Sequence, residues 1–297
     1  MKFGVNTLLW TAGFGRADLD LLPRLKEHGF DGVEIATFRF DGFPASEIRR
    51  AVEQSGLACT FCSALTGELS LVSEDPGVRR RALGFLRQGV QTAAELGANI
   101  MVGPYCAPVG QLVGRRRTTD EWQRAVDGLR GLAETLDRCG VTLAVEPLNR
   151  FETYFLNTAA DAAALCEEVG HPRVGVLFDT FHANIEEKEI AAACRSLGRH
   201  LRHVHACEND RGIPGSGHVE WEALFRALRD MGYDGWLVIE SFGFGIPEIA
   251  AAACIWRDLA PAPEAIAFEG LRFLRRQASA PDSPSPRASG AGASDTP

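Results

Sequence analysis

The chain is 297 residues long, 45% hydrophobic, and carries a formal net charge of −8. That apolar mass suffices for one large core, since α/β barrels of about 250 residues form single domains. The negative balance excludes the broad basic face that nucleic acid requires, and no run approaches the ~18 uninterrupted apolar residues of a membrane span.

From its start the chain alternates short apolar runs with longer amphipathic ones. Met1 leads directly into the first run, residues 3–6, with no apolar leader, so a cytoplasmic location is expected. Trp10 follows, either as a wall of a pocket or as rim packing. The second run covers 32–36 and the third 59–63, where Cys59 and Cys62 form a lone CxxC. The eight cysteines are scattered, mostly in apolar surroundings, which suits reduced, buried thiols better than disulfides or zinc. Asp75-Pro76 caps a helix over 78–96 that Gly97 closes. A run at 99–102 precedes Thr118 to Glu121, capping and acidic residues ahead of a helix predicted over 122–138. Runs at 142–146 and 174–178 flank a helix over 159–169, capped by Asn157-Thr158. The last two runs, 202–205 and 237–240, flank a helix over 221–231 that ends at Gly232. Arg79, Arg80 and Arg81, like Arg115, Arg116 and Arg117, lie beside acidic residues near helix starts and read as solvated faces or subunit contacts. Residues 278–297 carry no large apolar side chain and are expected to form a disordered tail after a domain spanning 1–277.

The eight runs are rich in Val, Ile, Leu and Phe, as strands buried on both faces must be. Strands alternating with helices imply right-handed βαβ units and a parallel sheet. No GxGxxG follows the first strand, where a doubly wound dinucleotide fold needs it. The expected fold is therefore α/β, a single (β/α)8 TIM barrel.

Barrels place their chemistry at the carboxyl ends of the strands. Here the fifth to eighth strands end in Glu146, Asp179, His205 and Glu240. One acid after a strand is ordinarily a helix cap or a surface charge; four successive polar ends at one rim are not. Three converging carboxylates repel one another and need a cation. Three oxygen donors and one nitrogen suit neither calcium nor structural zinc, and favour Mn2+, with Co2+ or Mg2+ as substitutes. Glu152, His182 and Arg211 follow the same strands and read either as ordinary loop residues or as a second polar tier. A glycine-rich loop, residues 209–218, follows the seventh strand where barrels often hold phosphate, but no Lys accompanies it.

The stretches Glu146-Pro147-Leu148-Asn149-Arg150-Phe151-Glu152, Asp179-Thr180-Phe181-His182-Ala183-Asn184-Ile185-Glu186-Glu187 and His203-Val204-His205, with Glu208 to Arg211, resemble the ketose 3-epimerases of D-tagatose, D-psicose and L-ribulose. That family lies within the xylose-isomerase-like barrels. The resemblance implies that Glu146, Asp179, His205 and Glu240 are the metal ligands and that Glu146 and Glu240 double as the acid/base pair. It implies that Glu152, His182 and Arg211 bind the O1–O3 end of a free ketose, that the ion is Mn2+ or Co2+, and that the chain forms a homodimer or homotetramer. One carboxylate would take the C3 proton, and the other would return one to the opposite face of a cis-enediolate. An aldose–ketose or hydroxypyruvate-type isomerase is the nearest alternative. An apurinic endonuclease-like phosphodiesterase needs about three zinc ions and more histidines, and a sugar-binding barrel without catalysis needs no paired carboxylates.

Overall fold

A computed structural model describes residues 1–280. Its eight strands are β1 (Lys2–Val5), β2 (Gly32–Ala36), β3 (Ala58–Cys62), β4 (Ile100–Gly103), β5 (Thr142–Val145), β6 (Val174–Asp179), β7 (Leu201–His205) and β8 (Trp236–Ile239). Each falls within one residue of the run read from sequence. All pair in parallel, in the order β1-β8-β7-β6-β5-β4-β3-β2. The remaining junction, β1 with β2, is a single parallel bridge between Asn6 and Glu34. Beside it Asp31 N donates to Phe3 O at 2.9 Å and Phe3 N donates to the Asp31 carboxylate at 2.8 Å, closing the barrel.

Side chains along the strands alternate between two apolar clusters, as a pleated strand requires. Val33, Ile35, Met101, Leu143, Val145, Val176 and Phe178 face the helices. Ala36, Cys62, Val102, Ala144 and Leu177 face inward, with Leu8 and Ile249. Phe38, Phe242 and Ile246 border this inner cluster.

The helices begin where capping chemistry directs. Asp75 accepts from Gly77 N at the start of the helix Pro76–Leu96, and Gly97 ends it in the left-handed conformation. Thr118 and Glu121 form a reciprocal capping box. The span predicted as one helix over 122–138 is two, Thr119–Arg130 and Ala133–Cys139. Gly131 stands at the break, where a residue that weakens a helix lets the chain turn and bury Leu132 and Leu136. Arg115 pairs with Glu121 and Arg117 with Asp161, each at 2.9 Å, so these arginines serve contacts within the chain. Cys59 and Cys62 are buried free thiols.

The last helix, Pro263–Ser279, straps the β1–β2 seam. Phe268 stacks on His28 at 3.6 Å, Arg275 pairs with Asp31 at 3.3 Å, and Glu264 pairs with Arg24 at 3.2 Å. Trp10 Nε1 also donates to Glu264, at 3.3 Å, so Trp10 packs at the rim against this helix. The helix extends two residues past 277, into the segment expected to be disordered; the rest of that segment, from 281, lies outside the described residues. Among the described residues, no helix is long and apolar enough to cross a membrane.

Gly103 ends β4 at φ 145°, and a Cβ there would run into the carbonyl of Ser63, the residue just past β3. Gly103→Ala is expected to lower unfolding stability by about 1–3 kcal/mol or more, read as a shifted urea midpoint. An unchanged midpoint would contradict the close approach.

Candidate active site

Glu146, Asp179, His205 and Glu240 come from β5 to β8 and are all buried at the carboxyl rim. One donor atom from each lies within 4.8 Å of the others. Asp179 divides its carboxylate: Oδ1 accepts from Phe181 N at 2.6 Å as the cap of the helix Thr180–Glu186, which leaves Oδ2 to the site. His205 Nδ1 lies 3.3 Å from Glu240 Oε1, and 3.9 Å from both Glu146 Oε1 and Asp179 Oδ2. It is buried and has no hydrogen-bond partner. An orphaned imidazole nitrogen facing three carboxylates fits a divalent cation, and this donor set could hold one.

The two glutamates are driven apart. Burial, then the charge of Glu240, pushes the Glu146 carboxyl well above its usual range. Burial acts the same way on Glu240, but His205 and Arg211 outweigh it and hold that carboxyl down at about 2. A raised carboxyl among three buried acids marks negative charge beyond what His205 and Arg211 neutralise, which a divalent cation would offset.

Arg211 Nη1 donates to Asp179 Oδ2 at 2.9 Å and to Glu240 Oε2 at 2.8 Å. Its guanidinium is stacked by Phe181 and Phe242, 4.0 and 4.8 Å from the ring centroids. The Arg211 backbone is left-handed (φ 64°), an unfavourable conformation for a long side chain. Two contacts hold that turn: the Ser241 hydroxyl donates to Arg211 O at 2.6 Å, and Arg211 N donates to Glu208 O at 3.0 Å. The fully buried Glu208 carboxylate in turn accepts from Gly215 N at 2.7 Å, Val219 N at 3.0 Å and Trp221 Nε1 at 2.9 Å. Gly212 N turns to Asp210. The glycine-rich loop thus spends these amides on its own acids, not on a phosphate.

His182 Nδ1 accepts from Asn149 N at 3.1 Å, which requires the proton of the neutral ring to sit on Nε2. That nitrogen lies 3.6 Å from Glu146 Oε1 and 3.3 Å from Arg211 Nη2. Burial holds the ring neutral, with its pKa lowered to about 3. Asn149 Nδ2 also donates to Glu152 at 2.8 Å, and burial raises the Glu152 carboxyl. Glu152, His182 and Arg211 therefore join the quartet in one connected network.

Several members of this network were not singled out from sequence. Asn149 and Glu208 stood inside quoted stretches without a role. Cys207 Sγ lies 3.0 Å from Arg211 Nη1 and 3.4 Å from Asp179 Oδ2. Glu34 and His203 lie deeper, below His205, with Glu34 Oε1 2.7 Å from His205 Nε2 and Oε2 3.0 Å from His203 Nε2. Both carried a signal: each is a polar residue inside an apolar strand, and His203 shares the inward parity of His205.

A family model described as "Xylose isomerase-like TIM barrel" matches residues 22–277. The chain is 40% identical to a probable ketose 3-epimerase of Synechocystis sp., over 93% of this chain and 96% of that protein. It is 33% identical to the D-psicose 3-epimerase of Enterocloster bolteae, over 88% of this chain and 89% of the relative. Among solved structures, a D-psicose 3-epimerase crystallised in the presence of D-fructose superposes with a TM-score of 0.86 at 29% identity, covering 94% of this chain and all of the other.

Proposed function

Because the chain belongs to the xylose isomerase-like TIM barrels, and within them to the ketose 3-epimerases, an isomerase class of enzyme, we propose that it inverts C3 of a free ketose. The substrates are of the D-tagatose, D-psicose, D-fructose or L-ribulose class, a range taken from the relatives. The observation that carries this reading is geometric: Glu146 and Glu240, from strands three positions apart, converge with Asp179 and His205 in a single buried cluster at the carboxyl rim.

Glu146, Asp179, His205 and Glu240 hold a divalent ion, Mn2+ by its tolerance of a mixed oxygen and nitrogen shell, with Co2+ or Mg2+ able to replace it. When bound, the ion supplies positive charge against the negative charge that builds up on the deprotonated sugar. The chain does the rest. The ionised carboxylate takes the C3 proton from one face, and the other glutamate, arriving from a strand three positions along the barrel, returns a proton to the opposite face. His182, neutral with its proton on Nε2, donates to a sugar oxygen beside Glu146. Arg211, clamped between two aromatic rings, fixes the O1 end so that C3 and not C1 meets the pair. Glu152 accepts from a sugar hydroxyl.

The test is NMR of the Mn2+-supplemented protein in D2O with D-fructose, D-tagatose and L-ribulose. Deuterium at C3 with the 3-epimer as product is the expected result. Deuterium at C1 or C2 with an aldose product would move the chain to the aldose–ketose isomerases, and exchange on none of the sugars would sink the substrate class.

A further inference from the structure

Glu34 lies on β2, across the barrel from the strands that carry the quartet, and is fully buried. Its carboxylate gathers four side chains from three other elements. Asn6 Nδ2 donates to Oε1 at 2.9 Å, and Thr60 Oγ1 donates to Oε2 at 2.8 Å. His205 Nε2 lies 2.7 Å from Oε1, and His203 Nε2 lies 3.0 Å from Oε2. Both oxygens already act as acceptors, from Asn6 and Thr60, so at 2.7 Å His205 presents Nε2–H to Oε1. The other ring nitrogen, Nδ1, then carries the lone pair, and this is the atom aimed at Glu146, Asp179 and Glu240.

We propose that Glu34 is a positioning residue: from beneath the site it fixes the tautomer and the ring orientation of His205, so that Nδ1 faces the three carboxylates as a metal-ligating nitrogen. This rests on reading the quartet as a metal site. The opposite tautomer would aim an N–H into that cluster and could not ligate. Carboxylates that hold a ligating imidazole in this way raise its basicity and its affinity for the ion. The backbone of Glu34 forms the bridge to Asn6 that closes the barrel while its carboxylate accepts from the Asn6 amide, so ligand orientation and the β1–β2 junction share one residue.

A competing account makes Glu34, His203 and His205 a second cation site, since their donor atoms also cluster. Against it, both Glu34 oxygens already accept hydrogen bonds from neutral donors.

The experiment is a Co2+ titration of the full chain, followed by visible absorption and by competition with a chelator. Wild type is expected to bind one equivalent. Glu34→Gln keeps the size but must turn an amide NH2 toward one pair of its donors. It should bind Co2+ about 10–100-fold more weakly, with an altered spectrum. Thr60→Val, which removes one hydrogen bond from the same carboxylate, should weaken binding by a smaller factor and decides the matter should the first variant not fold. Wild-type affinity and spectrum in Glu34→Gln, or in Thr60→Val where that variant decides, would overturn the proposal. So would two equivalents in wild type of which one is lost with Glu34. No Co2+ binding by wild type would instead remove the metal site itself, and the role of Glu34 with it.

Discussion

Glu240→Gln is expected to lower deuterium exchange at C3 by at least ~10²–10⁴-fold, the contribution of a positioned proton-transfer group, while the barrel stays folded. The substitution keeps side-chain volume and an oxygen that can still accept from Arg211. It removes the negative charge that His205 and Arg211 hold in place in the native site. Two losses coincide, since an amide is neither a base nor an equal partner for a divalent ion. Asp179 remains beside Arg211 at 2.9 Å, so the buried guanidinium keeps a counter-ion, and unfolding should shift little. Exchange and thermal unfolding should be measured on the same sample. Exchange above a tenth of wild type, with metal bound, would refute the assignment of Glu240 to the acid/base pair.

Glu208→Ala should act on stability and activity together. The carboxylate satisfies two loop amides and the Trp221 indole inside the protein, and Val219 and Trp221 lead into the helix Trp221–Asp230. Two of these donors, Val219 N and Trp221 Nε1, are buried, and each costs about 1–3 kcal/mol when orphaned, so a loss of about 2–6 kcal/mol is expected from urea denaturation. The left-handed turn at Arg211 rides on this loop, and a displacement of about 1 Å in a positioning group can cost ~10²-fold in rate. Glu208→Gln, which keeps one accepting oxygen, should fall between the alanine variant and wild type in both measurements. An alanine variant with wild-type stability and turnover would show that the loop is organised by something other than Glu208.

The strands were legible because runs buried on both faces are apolar nearly throughout, and the quartet was legible because each member ends such a run. Two residues were missed for a related reason. Glu34 and His203 lie within strands, where attention to strand ends passes over them, although inward parity with His205 marks His203. Asn149 could not be assigned from spacing, since its partner His182 lies 33 positions on, in the helix Thr180–Glu186. The break at Gly131 escaped because helical periodicity continues through it, and only the need to bury Leu132 and Leu136 decides the turn. The work of Glu208 was hidden for another reason: its donors Gly215 N, Val219 N and Trp221 Nε1 lie 7 to 13 positions ahead and converge only when the loop folds back.

The strap across the β1–β2 seam bears on how the protein is made. Synthesis delivers β1 first, yet its ladder partner, β8, begins at Trp236, and the strap runs from Pro263 to Ser279. A chain still growing can stack β2 through β7 in order, but it holds β1 without its ladder and leaves Glu240 unmade. Ring closure thus waits until β8 has been made, and the ionisable cluster at the rim is completed in the same step. Translation assembles the scaffold piecemeal, while the chemistry arrives all at once.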